Sequence, residues 1–94
     1  MNAYYARLWA KIKGQWALPR GVLPEQKLET VINIVILRDG TLSGLNFERS
    51  SGNKYFDQSA ARAVRKASPF PPLPEWVREP RMEIGLRFLS TEFR

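Results

Sequence analysis

The sequence predicts an α+β fold: a three-stranded antiparallel sheet in spatial order 2-1-3, with two helices on one face and chain order helix–strand–strand–helix–strand. Three observations carry that expectation. Residues 28–38, LETVINIVILR, form a β-branched run that Asp39-Gly40 turns back into a second alternating segment. Two stretches, 4–16 and 54–67, repeat their apolar residues at helical spacing. A last alternating segment, 81–89, follows a proline-rich connector. Ninety-four residues suffice for one domain, 1–94, at the small end of the usual range.

The first helix is read from YYARLWAKIKGQW, residues 4–16. Tyr5, Leu8, Trp9, Ile12 and Trp16 recur at steps of three and four and lay one apolar stripe along it. Arg7, Lys11 and Lys13 fall off the stripe and can face water, and Pro19 and Gly21 are expected to end the helix. Both tryptophans are read as core.

In the first strand Ile32, Ile34 and Ile36 make one face, while Val31, Asn33, Val35 and Leu37 make a second, also largely apolar. A strand apolar on both sides belongs at the centre of its sheet or under cover. The second strand, LSGLNFER at 42–49, is expected to turn Leu45 and Phe47 inward. Ser50-Ser51-Gly52-Asn53 then breaks the strand and offers an N-cap to the second helix. Asp57 in its first turn and Arg65 and Lys66 in its last suit the helix dipole. Its stripe, Phe56, Ala60, Ala63, Val64 and Ala67, is mostly alanine and permits close packing.

The connector PFPPLPEW, residues 69–76, raises a question of its own. PxxP spacing occurs twice, at Pro69/Pro72 and Pro71/Pro74, and matches the loose pattern that proline-reading domains bind. A ligand has to protrude, however, and this stretch spans a gap between a helix and a strand of one core. Pro69 cannot continue the helix, and the prolines hold the chain extended up to Pro80. It is therefore read as a connector. The third strand, RMEIGLRFL at 81–89, puts Met82, Ile84, Leu86 and Phe88 on one face and Arg81, Glu83 and Arg87 on the other.

Composition narrows the chemistry. The chain has no cysteine and no histidine, which excludes disulfides, thiolate or imidazole metal sites and every nucleophile–histidine arrangement. Asp39 and Asp57 are accounted for by a turn and a helix start; Glu29, Glu48 and Glu83 lie on strands as partners for neighbouring basic residues. No carboxylate pair has a spacing that compels acid/base chemistry, so no enzyme, cofactor or metal is expected. The longest apolar run, Val31 to Leu37, is far shorter than the ~20 residues of a membrane span. Met1-Asn2 leads straight into an amphipathic pattern, as expected of a cytosolic protein or of a fragment whose export and anchoring segment lies upstream.

Connectivity fixes the strand order. The second strand pairs antiparallel to the first through Asp39-Gly40, and a right-handed crossover through the second helix carries the third strand to the far side of the first. The helices are expected over Ile32, Ile34, Ile36, Leu45, Phe47, Ile84 and Leu86. Strands 2 and 3 are left as edges, and strand 3 has little to blunt it: Pro80 at its start, some charges, no internal proline.

Strand–Asp39-Gly40–strand, Ser50-Ser51-Gly52, Phe56-Asp57 with Ala60, Pro71-Pro72 and a final alternating strand, in this order and spacing over roughly residues 28–89, resemble the C-terminal domain of the TonB/TolA group of envelope energy transducers. The opening helix is more similar to the TolA type than to the tyrosine-proline opening of TonB, and PEQKLET stands where TonB domains often carry a glycine. Both subtypes stay open. The resemblance implies a periplasmic domain of a longer protein, tethered through a proline-rich linker to an inner-membrane helix on which a proton-driven motor acts. It implies a non-catalytic grip on an outer-membrane receptor (a TonB-box-like segment) or on a Tol–Pal component, by addition of a partner strand to strand 3. The implied contact residues are Arg81, Met82, Glu83, Ile84, Gly85, Leu86, Arg87, Phe88 and Leu89, with Arg81 and Arg87 available to acidic partner positions. An open edge also permits either a monomer or a strand-exchanged dimer.

Net charge is +6, and the alternative reading is a basic domain for nucleic acid or an anionic surface. Its cations are spread from Arg7 to Arg94, with Arg62, Arg65 and Lys66 the one dense group. The outward face of the sheet lacks the aromatic pair on which bases stack, so no nucleic acid is expected.

Overall fold

The computed structural model describes residues 3–17 and 27–93. Its elements are α1 (Ala3–Gln15), β1 (Glu29–Leu37), β2 (Leu42–Arg49), α2 (Lys54–Ala67), β3 (Arg81–Leu89) and a terminal 3-10 turn, η1 (Ser90–Phe93). The sheet has the order β2-β1-β3, and both pairings are antiparallel. Fold class, strand order and the boundaries of β2, α2 and β3 are those the sequence predicts.

β1 is central because its side chains can be covered on one face and half-covered on the other. Thr30, Ile32, Ile34 and Ile36 are fully buried under the helices, while Glu29, Val31, Asn33, Val35 and Leu37 are half-buried on the outer face. Each buried isoleucine is worth about 1.5–3 kcal/mol of burial, so this row is the spine of the core. Ile84, Leu86 and Phe88 extend it on β3.

The two helices close the helix-side face. α2 begins at Asn53, whose side chain accepts from the Tyr55 and Phe56 amides at 3.0 and 3.1 Å. The Asp57 carboxylate does more than meet the helix dipole. It accepts from the Ser51 amide at 3.0 Å, from the Ser51 hydroxyl at 2.8 Å, and from the Thr30 and Ser50 hydroxyls. This ties the start of α2 to β1 and explains the serine pair before it. Burial pushes the Asp57 carboxyl up, but the hydrogen bonds from Ser50, Thr30 and Ser51 outweigh it and hold the group below the usual range.

α1 buries Tyr4, Leu8 and Ile12, and Trp16 just beyond it is buried too, whereas Tyr5 and Trp9 are only half-buried. The helical period is as predicted, but its centre is rotated toward Tyr4. The reason is a long-range bond: the Tyr4 hydroxyl donates to the Pro71 carbonyl at 2.8 Å, drawing that side chain under the helix. The helix ends at Gln15; Pro19 and Gly21, expected to stop it, lie outside the described residues. Trp16 packs edge-on against Phe56 and Phe88, with its indole N–H 3.3 Å from the Ser59 hydroxyl.

One core expectation fails. Leu45 and Phe47 pair with Ile34 and Ile32 and so share the helix-side face, yet Leu45 is half-buried and Phe47 is 44% exposed. The register explains it. Val31 pairs with Arg49 but Ile32 with Phe47, and Val35 with Gly44 but Ile36 with Leu42. Glu48 and Ser43 are therefore extra residues, two bulges that twist β2 away. α2 lies over β1 and α1 over β3, leaving the end of β2 beyond the helical cover.

The connector 68–80 is largely without regular structure, as expected, and is packed into the fold. Phe70, Leu73 and Val77 are buried, while Trp76 stays 60% exposed. Its backbone docks on the Asp39-Gly40 hairpin: the Phe70 amide donates to the Gly40 carbonyl at 2.9 Å and the Leu73 amide to the Arg38 carbonyl at 3.0 Å.

Candidate strand-addition edge

β3 pairs with β1 over its whole length, from Arg81 opposite Leu37 to Leu89 opposite Glu29, with no shift in register. Among the described residues nothing pairs with its other side. Nine residues of straight strand, about 30 Å, thus offer an uninterrupted row of backbone donors and acceptors. β2, the opposite edge, carries two bulges that break its ladder. One edge is blunted in the way proteins protect themselves against stray pairing, and the other is left open.

The side chains of β3 have two distinct duties. Ile84, Leu86 and Phe88 are buried and Met82 is half-buried, so these hold the strand to the core. Arg81, Glu83, Gly85 and Arg87 are exposed on the outer face, and Leu89 is half-buried at the end. Of the nine residues implied as contacts, all lie along this one edge, but the buried ones can meet a partner only through their backbone.

The charges differ from expectation in one respect. Arg87 is taken by Glu29, which also meets Arg49 at 3.4 Å, so β3, β1 and β2 are tied by a three-residue ionic row at this end of the sheet. Glu29 has the basic neighbours the sequence expects, because the register brings it diagonally beside Arg87 and Arg49, and Arg87 is to that extent less available to an acidic partner. Arg81, at the other end, lines a cleft of about 320 Å³ with Val35, Glu79, Pro80 and Glu83. A second cleft, of about 280 Å³, lies at the far end between Lys27, Leu28, Glu29, Arg87, Leu89 and Thr91. The edge is therefore flanked by one cleft at each end.

Two features that position this edge escaped the sequence reading. Arg38 pins the connector: its guanidinium donates to the Val77 and Glu79 carbonyls, the latter at 2.6 Å, and its amide donates to the Pro80 carbonyl at 3.0 Å. That fixes where β3 begins. No residue-level signal marks an arginine after a strand for this task. The burial of Phe70, Leu73 and Val77 did leave a signal, apolar residues at steps of three and four inside the proline run. On the helix side, the Trp9 ring stands edge-on to Phe88 with centroids 5.0 Å apart, forming a half-buried aromatic shelf over β3.

Among the described residues no three acidic side chains gather to hold a metal ion, and no helix is long and apolar enough to cross a membrane. The sequence matches the TonB C-terminal family over residues 1–88. It is 34% identical over 67 residues to the Tol-Pal system protein TolA of Pseudomonas aeruginosa, a match covering 71% of this chain and 19% of that protein. The chain thus spans about a fifth of the length of this relative. Among solved structures, it is similar to TolA domain III bound to a peptide from the N-terminus of TolB, with a TM-score of 0.73 and 26% identity over 95% of this chain and 73% of that one. It also shares the fold of the C-terminal domain of Helicobacter pylori TonB, with a TM-score of 0.76 and 16% identity over 95% of this chain and 80% of that one.

Proposed function

Because the chain belongs to the TonB C-terminal domain family, whose members are periplasmic, non-catalytic interaction modules of envelope energy transducers, we propose that it grips a partner by strand addition to β3. The partner would be an extended segment of an outer-membrane receptor or of a Tol–Pal component. Force would reach the domain from an inner-membrane motor through an anchoring segment of the longer protein. The observation that carries the reading is the asymmetry of the two edges: bulged β2, continuous β3.

The chemistry of such a grip follows from the edge. Four or five outward-facing backbone pairs, each contributing about 0.5–1.5 kcal/mol net, less the cost of ordering the segment, give micromolar affinity or weaker. Weak binding suits a grip that must release after each pull. Specificity would come from the two clefts: Glu79, Arg81 and Glu83 favour a charged or polar partner residue at one end, and Leu28 and Leu89 an apolar one at the other. The known complex of TolA domain III with a TolB peptide supports the class of partner.

Titrating the labelled domain with N-terminal peptides of outer-membrane receptors and of TolB, while following backbone amides, tests the proposal. Shifts should concentrate in residues 81–89, with smaller ones in β1 behind. Shifts centred on Arg62, Arg65 and Lys66 and abolished by moderate salt would overturn it, because charge and not strand pairing would then make the contact.

A further inference from the structure

The net charge of this protein has a location. α1 and α2 together carry seven cations, Arg7, Lys11 and Lys13 on one helix and Lys54, Arg62, Arg65 and Lys66 on the other, against a single acid, Asp57. The rest of the chain holds eight basic and eight acidic residues and nets to zero. The whole excess of +6 therefore sits on the helical layer. Sequence position hides this, because the helices are separated by some forty residues; packed against each other with their buried stripes inward, they leave these cations on the solvent side of the helical layer.

All seven cations are exposed. The one acid of the layer is already occupied by the Thr30, Ser50 and Ser51 hydroxyls at the start of α2. The ion pairs of Glu29 lie on the sheet and engage Arg49 and Arg87, neither of them a cation of the helical layer. Arg7 and Lys11 stand one helical turn apart, as do Arg62 and Lys66, and like charges at that spacing repel. Lys11 reaches across to the Pro69 carbonyl at 2.5 Å, just beyond the last turn of α2, the turn that carries Arg65 and Lys66. Between the α1 cations the surface is low, since Ala6, Ala10 and Gly14 are the exposed residues there.

We infer that this helical layer docks on an anionic phospholipid surface. An exposed array of cations, with only small residues between those of α1, suits a partner that is itself extended, negatively charged and able to rearrange, and lipid headgroups are all three. An acidic protein segment would need side-chain seats, and the clefts described lie on the sheet side. The array also leaves the edge of β3 in the plane of the sheet, so a membrane-docked domain could still take a partner strand. This inference does not rest on the strand-addition reading, and the two can fail separately.

The test is co-sedimentation of the domain with vesicles of phosphatidylcholine, with and without phosphatidylglycerol, at moderate salt. The intact domain should bind only the vesicles containing phosphatidylglycerol. The triple variant Arg62→Gln/Arg65→Gln/Lys66→Gln should lose about a hundredfold in partition coefficient, at roughly a fivefold loss per cation. A variant that removes two cations away from both the layer and the β3 edge, Arg49→Gln/Arg78→Gln, should lose no more than a few-fold, where two cations taken from the layer would cost about twenty-five-fold. Unchanged melting curves for both variants confirm the comparison. Equal losses in the two variants, or binding to heparin without binding to anionic vesicles, would overturn the inference. The triple variant should retain the amide shifts of residues 81–89 with a partner peptide, which separates this surface from the β3 edge.

Discussion

Gly40 and Gly52 provide a matched pair that separates backbone preference from packing. Both have positive φ, 96° and 87°, where any residue with a Cβ is strained. A Cβ at Gly52 would meet nothing within 4 Å, but at Gly40 it would lie 1.9 Å from the Phe70 carbonyl oxygen and 2.9 Å from its carbon. Gly52→Ala should therefore cost only the left-handed penalty, about 1–2 kcal/mol. Gly40→Ala carries the same penalty and must also push the connector off the hairpin. That breaks the Phe70 amide bond to the Gly40 carbonyl, at about 0.5–1.5 kcal/mol, and partly exposes Phe70, now 4% accessible, at about 1–2 kcal/mol more. The sum is about 2.5–5.5 kcal/mol, half or more of the ~5–14 kcal/mol expected for a domain of this size if it lies near the lower end. Urea melts of both variants would show it, with midpoints falling far more for Gly40→Ala. Equal losses would refute the reasoning, since they would mean that the connector does not clamp the turn.

Ile34→Ala should cost about 2–5 kcal/mol in the same assay and Phe47→Ala under about 1 kcal/mol, because the first side chain is fully buried and the second 44% exposed. A Phe47→Ala loss as large as that of Ile34→Ala would mean the helices cover β2 after all. Asp57 titrates below the ordinary carboxylate range when folded, so its contribution is fully present above the unfolded value of about 4 and is lost as pH falls through the lower folded value. Denaturation midpoints measured below about pH 4 should accordingly fall less steeply in Asp57→Asn than in the parent, and parallel curves would show the Ser50–Thr30–Ser51 bonds to be inconsequential. In a peptide titration, Arg81→Ala should alter which partner sequences bind, whereas Arg87→Ala should act mainly through loss of the Glu29 pair and lower stability by at most about 1 kcal/mol.

The elements that were legible in the sequence are those whose signal is local. β1 announces itself by Ile32, Ile34 and Ile36, α2 by the Asn53 cap and its alanine stripe, and the strand order by the right-handedness of one crossover. What failed needed a partner from elsewhere in the chain. Phe47 alternates correctly on β2, and only the two bulges and the limited reach of the helices put it in water. Tyr4 is buried more deeply than Tyr5, which packs half-buried against the core, because Pro71, distant in sequence, supplies the Tyr4 hydroxyl with an acceptor.

The same division runs through the two surfaces. The open β3 edge could be read from alternation and the absence of an internal proline, since a strand's own residues decide whether it can be paired. Its contrast with β2 could not, because a bulge exists only in a register between strands. Likewise the cations of α1 look dispersed until Lys11 meets the end of α2, and Arg87 looks free until β1 sets Glu29 beside it. Charge is counted in the sequence, but which charges are neutralised and which gather on one face is decided by packing. In this domain Glu29 engages Arg49 and Arg87 on the sheet while the helices carry the excess charge, so a partner strand and an anionic surface would approach it from different sides.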